Sequence, residues 1–381
     1  MARMVLLGTT KGAFILRQQG DGRFDVSGPH CDGWPINHVI CQPGTSTLWA
    51  GGGGEWFGAG VWTSKDGGDT WTLSRLTSGQ MDEFAAQDAD FAAMIGWQAQ
   101  DYPFGSEFSQ IWSLHLVGDV LYAGTKPADL LVSHDQGASF ARVAGLGQHP
   151  SRPDWNPGAA GLILHSIASD ANNPQKLWVA ISAAGVFATE NGGATWTRRN
   201  RLSNAQTDTH HHHHPAAPAG GETGHCVHNL VRAPTGAGDL LYQQNHHGVW
   251  RSQDGGRSWE DQTDGLPSTF GFPIAVHPRD PLKIWVLPLN GDMLGRYPPD
   301  ARAAVWHSAD GGETWQEQRA GLPQEACFFT VLRQGMAIDD ASDPALYFGT
   351  NTGSVFASFD EGRQWHEIAR HLPTIQSVEA M

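Results

Sequence analysis

Three stretches of this chain share one apolar pattern, and each opens on a histidine. They are His38-Val39-Ile40-Cys41, His165-Ser166-Ile167-Ala168 and His228-Asn229-Leu230-Val231. More imidazoles stand nearby, at His225 in Gly224-His225-Cys226-Val227-His228 and at His246 and His247 in Asn245-His246-His247-Gly248. Converging imidazoles suit a borderline divalent metal, Zn²⁺ before others, and an open position on such an ion activates water or polarises a substrate oxygen. The candidate ligands for one such ion are therefore His38, His165, His228, His246 and His225. No other cofactor is implied. The competing reading is structural: each imidazole satisfies a backbone carbonyl or a buried water. The run His210–His214 lies in low-complexity sequence between Asp208-Thr209 and Pro215-Ala216-Ala217-Pro218, so adventitious metal binding is expected there.

Carboxylates offer a second chemistry. Glu55, Asp82, Glu83, Asp101, Glu107, Asp154, Glu222 and Asp292 fall in segments with loop composition. Glycoside hydrolysis needs two carboxyls about 5 Å or about 6.5–9.5 Å apart, acting as acid and as nucleophile or base. Glu55, Glu107 and Asp154 are the candidate catalytic residues for that reaction. Trp112, Arg152 and Arg333 are candidate ligand contacts, an aromatic face and two guanidinium forks. The sequence has no Gly-x-Ser-x-Gly elbow, no His-Glu-x-x-His and no phosphate loop.

The elements that must position these groups are announced by a repeat. Ser252-Gln253-Asp254-Gly255-Gly256-Arg257-Ser258-Trp259 recurs, with changes, from Ser64, Ser133, Thr189, Ser308 and Ser358. Each copy pairs a carboxylate that can bond turn N–H groups with glycines that accept positive φ, between two β-prone runs. That reads as a hairpin. The third copy has Asn191 for Asp, the second has Phe140 for Trp, and the sixth has Glu361 and Gln364 at otherwise conserved-type positions. Several copies of one acid on one chain make turns and not an active site.

This motif resembles the Asp-box, or BNR repeat, of sialidases, sortilin-type receptors, xyloglucanases and photosystem-assembly factors. The resemblance implies an all-β fold, a β-propeller, and leaves the activity open. The third positions of the boxes, residues 66, 135, 191, 254, 310 and 360, stand 69, 56, 63, 56 and 50 residues apart. A four-stranded blade takes about 40–50 residues, so each gap is one blade plus loops. An unboxed blade starts the chain at Met4–Gly8, Gly12–Arg17 and Arg23–Ser27, and the strand it lacks is expected from Thr374–Ala380. The prediction is one domain, 1–381, a seven-bladed propeller closed by its C-terminal strand. Inner strands are expected at Asn37–Gln42, Ile111–Val117, Leu164–Ser169, Val227–Arg232, Pro273–His277 and Met336–Asp339. The boxes then occupy one face. The insertions 76–110, 144–162, 200–226 and 289–302 fall on the other, with the histidines, and 76–110 is expected to carry short helices and act as a lid.

Sialidases carry an Arg-Ile-Pro signature and three arginines that grip a carboxylate. This chain has no Arg-Ile-Pro, and only Arg152 and Arg333 are placed to reach the channel, so a true sialidase is disfavoured. Three functions remain: a loop-face funnel binding a small ligand through a His-bound metal, with any activity hydrolytic or metal-assisted; a glycoside hydrolase using loop carboxylates; and a non-catalytic interaction scaffold. The expected partner is a small molecule or carbohydrate. Lys and Arg number 24 against 39 Asp and Glu, a net charge of −15, which argues against nucleic acid and anionic membranes. No apolar run approaches the roughly 20 residues of a membrane span, and the start is too short an apolar stretch for a signal peptide, so a cytoplasmic location is expected. Cys31, Cys41, Cys226 and Cys327 are widely spaced and are expected to be free thiols.

Overall fold

The computed structural model describes residues 3–203, 221–234 and 238–381. The run His210–His214 lies outside them. The regular secondary structure of the described residues is nearly all strand. Antiparallel pairing builds five four-stranded sheets and one of eight strands. The larger sheet is two four-stranded halves joined at a single bridge, Gly53↔Gln110. The last strand, Ile375–Ala380, pairs antiparallel with the first, Met4–Thr9, as the missing strand at the N-terminus required. The innermost strands follow one another in contact: Ile36–Cys41, Gln110–Val117, Ile163–Asp170, Val227–Arg232, Gly271–Val276, Met336–Ile338 and Ile375–Ala380, the last lying against the first. Strands such as Gly185–Thr189 and Gly248–Ser252 are buried along their whole length. They are packed on both faces, so their sequences read as continuous apolar runs instead of alternating ones.

Side chains fix the repeated turn. Asp254 Oδ1 accepts from Ser258 N (2.8 Å) and from Ser252 Oγ (2.9 Å), while Oδ2 accepts from Ser258 Oγ (2.6 Å). Ser252 Oγ in turn accepts from Gly256 N at 2.7 Å. The next two residues, Gly255 and Gly256, have φ of 72° and 81°, where a Cβ would be strained. Asp66, Asp135, Asp310 and Asp360 repeat the acceptor role toward the backbone N–H four residues on. The turns also bind the sheets to one another. Trp49, Trp178 and Trp285 donate from their indoles to Gln136 O (2.8 Å), Gly255 O (3.0 Å) and Glu361 O (3.3 Å) in the turn of the following four-stranded unit. All three rings are fully buried. Truncating one removes about 3–5 kcal/mol of packing. The closing tryptophans divide: Trp71 and Trp196 donate back into their own turns, but Trp259 and Trp315 reach Arg199 O and Gln262 O of the preceding sheet.

Strand alternation puts the first-to-second and third-to-fourth turns of each sheet at one end. The second-to-third and sheet-to-sheet connections lie at the other. The repeated turns sit at the first end, and the insertions 76–110, 144–162 and 289–302 at the second. Within insertion 76–110 two helices form, Gln80–Gln87 and Ala89–Ile95. Asp82, expected from the sequence to be a loop carboxylate, instead lies buried in the first turn of Gln80–Gln87. It accepts from Gly79 N, Trp97 Nε1, Tyr102 Oη and Arg75.

Candidate functional site

The inner strands carry a common irregularity that the apolar pattern did not reveal. Pairing skips one residue at the loop-bearing end of each of five of them. The skipped residues are Asn37, Trp112, His165, His228 and Gln376. A β-bulge adds one residue and re-aims its side chain. His165 and His228 occupy the bulge, whereas His38 stands one residue beyond it, on the other face. His38 is thus equivalent to Ser113, Ser166 and Asn229. Its Nδ1 accepts from Leu114 N at 2.9 Å, and it lines the axial channel with His115. The expectation that His38, His165 and His228 point to one ion is corrected on this ground: one register step separates the first from the others.

Around His228 the structure gathers a compact polar group. His228 Nδ1 lies 2.6 Å from Gly271 O, which makes it the protonated nitrogen and turns Nε2 toward Cys226 Sγ, 3.7 Å away. Cys226 Sγ lies 3.2 Å from Ser182 Oγ. His246 comes from the turn after the second strand. Its ring centroid is 5.3 Å from that of His228 and 5.0 Å from that of Phe270, and its Nε2 is 3.8 Å from Asp292 Oδ2. Asp292 accepts from Arg296 Nε at 2.5 Å. Arg333 Cζ lies 5.2 Å from the Phe272 ring centre, with Arg296 Cζ over the same ring at 5.9 Å. The loop carrying Arg333 is tied across the channel end. Asn229 Nδ2 donates to Arg333 O (2.6 Å), and Gln334 Nε2 donates to His165 O (2.7 Å).

Burial dominates the electrostatics. It holds His165 and His228 well below the ordinary histidine range, with the Arg333 charge adding to the effect, so both imidazoles are neutral. Burial likewise pushes the Cys226 thiol up. Arg333 is lowered by burial and by Arg296, while Cys226 and Asp292 act in the opposite sense. The residue as a whole is half-buried. Its Nε is buried with no hydrogen-bond partner among the described residues. A buried donor left in that state is costly, and the same holds for the Nε of Arg75, Arg198, Arg199, Arg232 and Arg251.

The other expected residues lie elsewhere. His225 sits 3.0 Å from Glu222 Oε2 and 2.6 Å from Arg198 Nη2, outside the group around His228. Glu55 and Asp154 are exposed, and Glu107 pairs with Arg142. No hydrogen bond or ion pair joins these three among the described residues. Arg142 Nε also lies 3.6 Å from Asp129, a carboxyl that burial pushes up. Arg152 lies over Trp155 and Trp112 near Lys126, both on the loop side. Cys226 and Asp292 are the members that sequence reasoning did not assign to the histidines. The signal for Cys226 was its place two residues before His228, which puts both side chains on one side of a strand. The axial channel is a separate cavity of about 520 Å³ lined in part by His38, Cys41, His115 and Glu379. It borders the His228 group through Ser166, Asn229 and Gln334.

No family model matches the chain. It is 23% identical over 269 residues to the oligoxyloglucan-reducing end-specific xyloglucanase of Emericella nidulans, across 65% of this chain and 30% of that protein. Among solved structures it is similar to the GH74 xyloglucanase from Xanthomonas campestris, with a TM-score of 0.64 and 17% identity over 96% of this chain and 52% of that one. It is similar also to the periplasmic gluconolactonase of Pseudomonas aeruginosa (TM-score 0.58, 14% identity, 100% and 99% covered) and to YCF48 from Cyanidioschyzon merolae (TM-score 0.53, 14%, 87% and 84%). These neighbours are β-propeller proteins, and at such identities the likeness is one of fold. The chain spans about half the length of the xyloglucanase structure and less than a third of the curated xyloglucanase.

Proposed function

We propose that this chain is a seven-bladed propeller acting as a carbohydrate hydrolase, with its sugar bound on the loop face above Phe270 and Phe272. The observation that carries the site is Arg333: a half-buried arginine over the Phe272 ring, its Nε buried without a hydrogen-bond partner among the described residues. A substrate carboxylate or hydroxyl pair would complete it. Asp292, oriented by Arg296, is the carboxyl within this group and serves as one of the two carboxyls that glycoside hydrolysis requires. The xyloglucanase relative and the xyloglucanase and gluconolactonase neighbours support a sugar as substrate class. Glycosidic hydrolysis is the reaction we favour.

The test is turnover of aryl glycosides, β-glucan oligosaccharides and uronosides by the wild-type chain and by Arg333→Ala and Asp292→Asn. The expected result is activity on at least one sugar, with kcat/KM reduced about 10- to 100-fold by Arg333→Ala, the value of one charge-assisted hydrogen bond. Asp292→Asn should cost about 10²–10⁴-fold in kcat. Turnover untouched by either change places the site elsewhere. No turnover on any sugar removes the hydrolase reading and leaves an interaction platform ahead.

A further inference from the structure

We propose that Cys226, His228 and His246 bind one divalent transition metal, Zn²⁺ by their chemistry. Their donor atoms all lie within 4.8 Å of one another. A tetrahedral ion with bonds of about 2.3 Å to sulfur and 2.0–2.1 Å to nitrogen sets the sulfur–nitrogen separation near 3.6 Å. The observed Cys226 Sγ to His228 Nε2 distance is 3.7 Å. The surrounding shell is built as ligating groups require. Gly271 O holds His228 Nδ1 at 2.6 Å and so fixes the tautomer that offers Nε2. Ser182 Oγ, 3.2 Å from the sulfur, can donate to a thiolate. His246 N donates to Cys226 O at 3.0 Å, which ties the backbones of two ligands together. Asp292 supplies a carboxylate 3.8 Å from His246 Nε2, and the Phe270 and Phe272 rings wall one side. One thiolate and two imidazoles select Zn²⁺ or Co²⁺ over the oxygen-seeking Mg²⁺ and Ca²⁺.

Binding releases the Cys226 thiol proton to solvent, and the thiolate and the Asp292 carboxylate offset the ion. With Arg333 and Arg296 alongside, the loaded group stays positively charged, which favours an anionic ligand at the open position. Three protein ligands leave a position for water or a substrate oxygen, the arrangement of catalytic and not of structural zinc. The site draws on different residues from the candidate set of the sequence. It keeps His228 and His246, adds Cys226, and excludes His38, His165 and His225. It does not rest on the sugar reading, since an ion at these side chains is detectable whether or not any glycoside turns over.

The experiment uses the full, untagged chain with His210–His214 each changed to Ser, stripped with chelator and titrated with Co²⁺. The expected result is one equivalent of Co²⁺, with visible bands of tetrahedral intensity and a near-ultraviolet thiolate-to-cobalt band, all bleached by Zn²⁺. Cys226→Ser should abolish the near-ultraviolet band, and His246→Gln should weaken affinity at least about tenfold. Circular dichroism checks that each variant is folded. Less than about a tenth of an equivalent bound, or a thiolate band that survives Cys226→Ser, overturns the assignment. Should Cys226→Ser fail to fold, the wild-type spectrum decides: cobalt bound without a thiolate band refutes the site. Absence of sugar turnover in the same preparation bears on the hydrolase reading alone.

Discussion

Asp254 allows a hydrogen-bonding role and a charge role to be separated. Replacing it with Ala strips three bonds from one turn: Ser258 N at 2.8 Å, Ser252 Oγ at 2.9 Å and Ser258 Oγ at 2.6 Å. The Ser258 hydroxyl is half-buried and rotates to water, whereas that of the buried Ser252 loses its acceptor, and the net loss is about 1–3 kcal/mol. Asp254→Asn should cost well under 1 kcal/mol by comparison. The third turn already shows why. Asn191 Oδ1 accepts from Thr195 N, and its Nδ2 donates to Thr195 Oγ1 at 2.8 Å, so the hydroxyl reverses from donor to acceptor and the turn closes unchanged. Burial alone would raise the Asp254 carboxyl, but bonds from Ser258 and Ser252 outweigh it and hold the group below its ordinary value. A carboxyl lowered in the folded state contributes stability above its unfolded pKa, near 3.9, and loses it as pH falls through the folded value. The small gap between wild type and Asp254→Asn should therefore close in acid. Urea midpoints at pH 7 and pH 3 for the three proteins supply the measurement. Equal costs for Asn and Ala at pH 7 would show that charge, not turn geometry, is what the residue provides. Loss of ligand binding in folded Asp254→Ala would break the division of faces.

Other outcomes follow from the same geometry. His38→Ala should leave metal stoichiometry unchanged and lower stability by about 1–3 kcal/mol, because it orphans the buried Leu114 N–H; metal analysis with urea unfolding checks both. Asp82→Ala should cost about 3–5 kcal/mol locally by stranding Arg75, and protease should then cut within residues 80–102 before the rest of the chain. Burial pushes Glu379 up to about 7 in the channel. The folded state therefore holds a proton that the unfolded chain releases near pH 4.3, and this group's contribution declines from there up to about pH 7. Glu379→Gln should raise the thermal midpoint at pH 8 and leave it nearly unchanged at pH 4, an effect of about 1–3 kcal/mol; equal shifts at both pH values would contradict the assignment.

Local chemistry made much of the fold legible. Gly-Gly after a carboxylate, and β-prone runs on either side, dictate a hairpin from a few residues, and the paired strands Met4–Thr9 and Ile375–Ala380 follow from counting what the first sheet lacked. Val227–Arg232 was readable to the residue from its apolar pattern, Val227, Leu230 and Val231, shared with the other inner strands. The site was less legible. An apolar pattern has period two and cannot register one added residue, so the bulges at Asn37, His165 and His228 were invisible and His38 was aligned one place out. Asp82 looked like a solvated loop charge because nothing local shows that Arg75, Trp97 and Tyr102 converge on it. By itself the sequence determined which segments become strands and turns, since those choices rest on neighbours a few residues apart. Only the tertiary structure decided that Cys226, His228, His246, Asp292 and Arg333 face one another, because their meeting depends on bulges and sheet-to-sheet packing that span more than a hundred residues of chain.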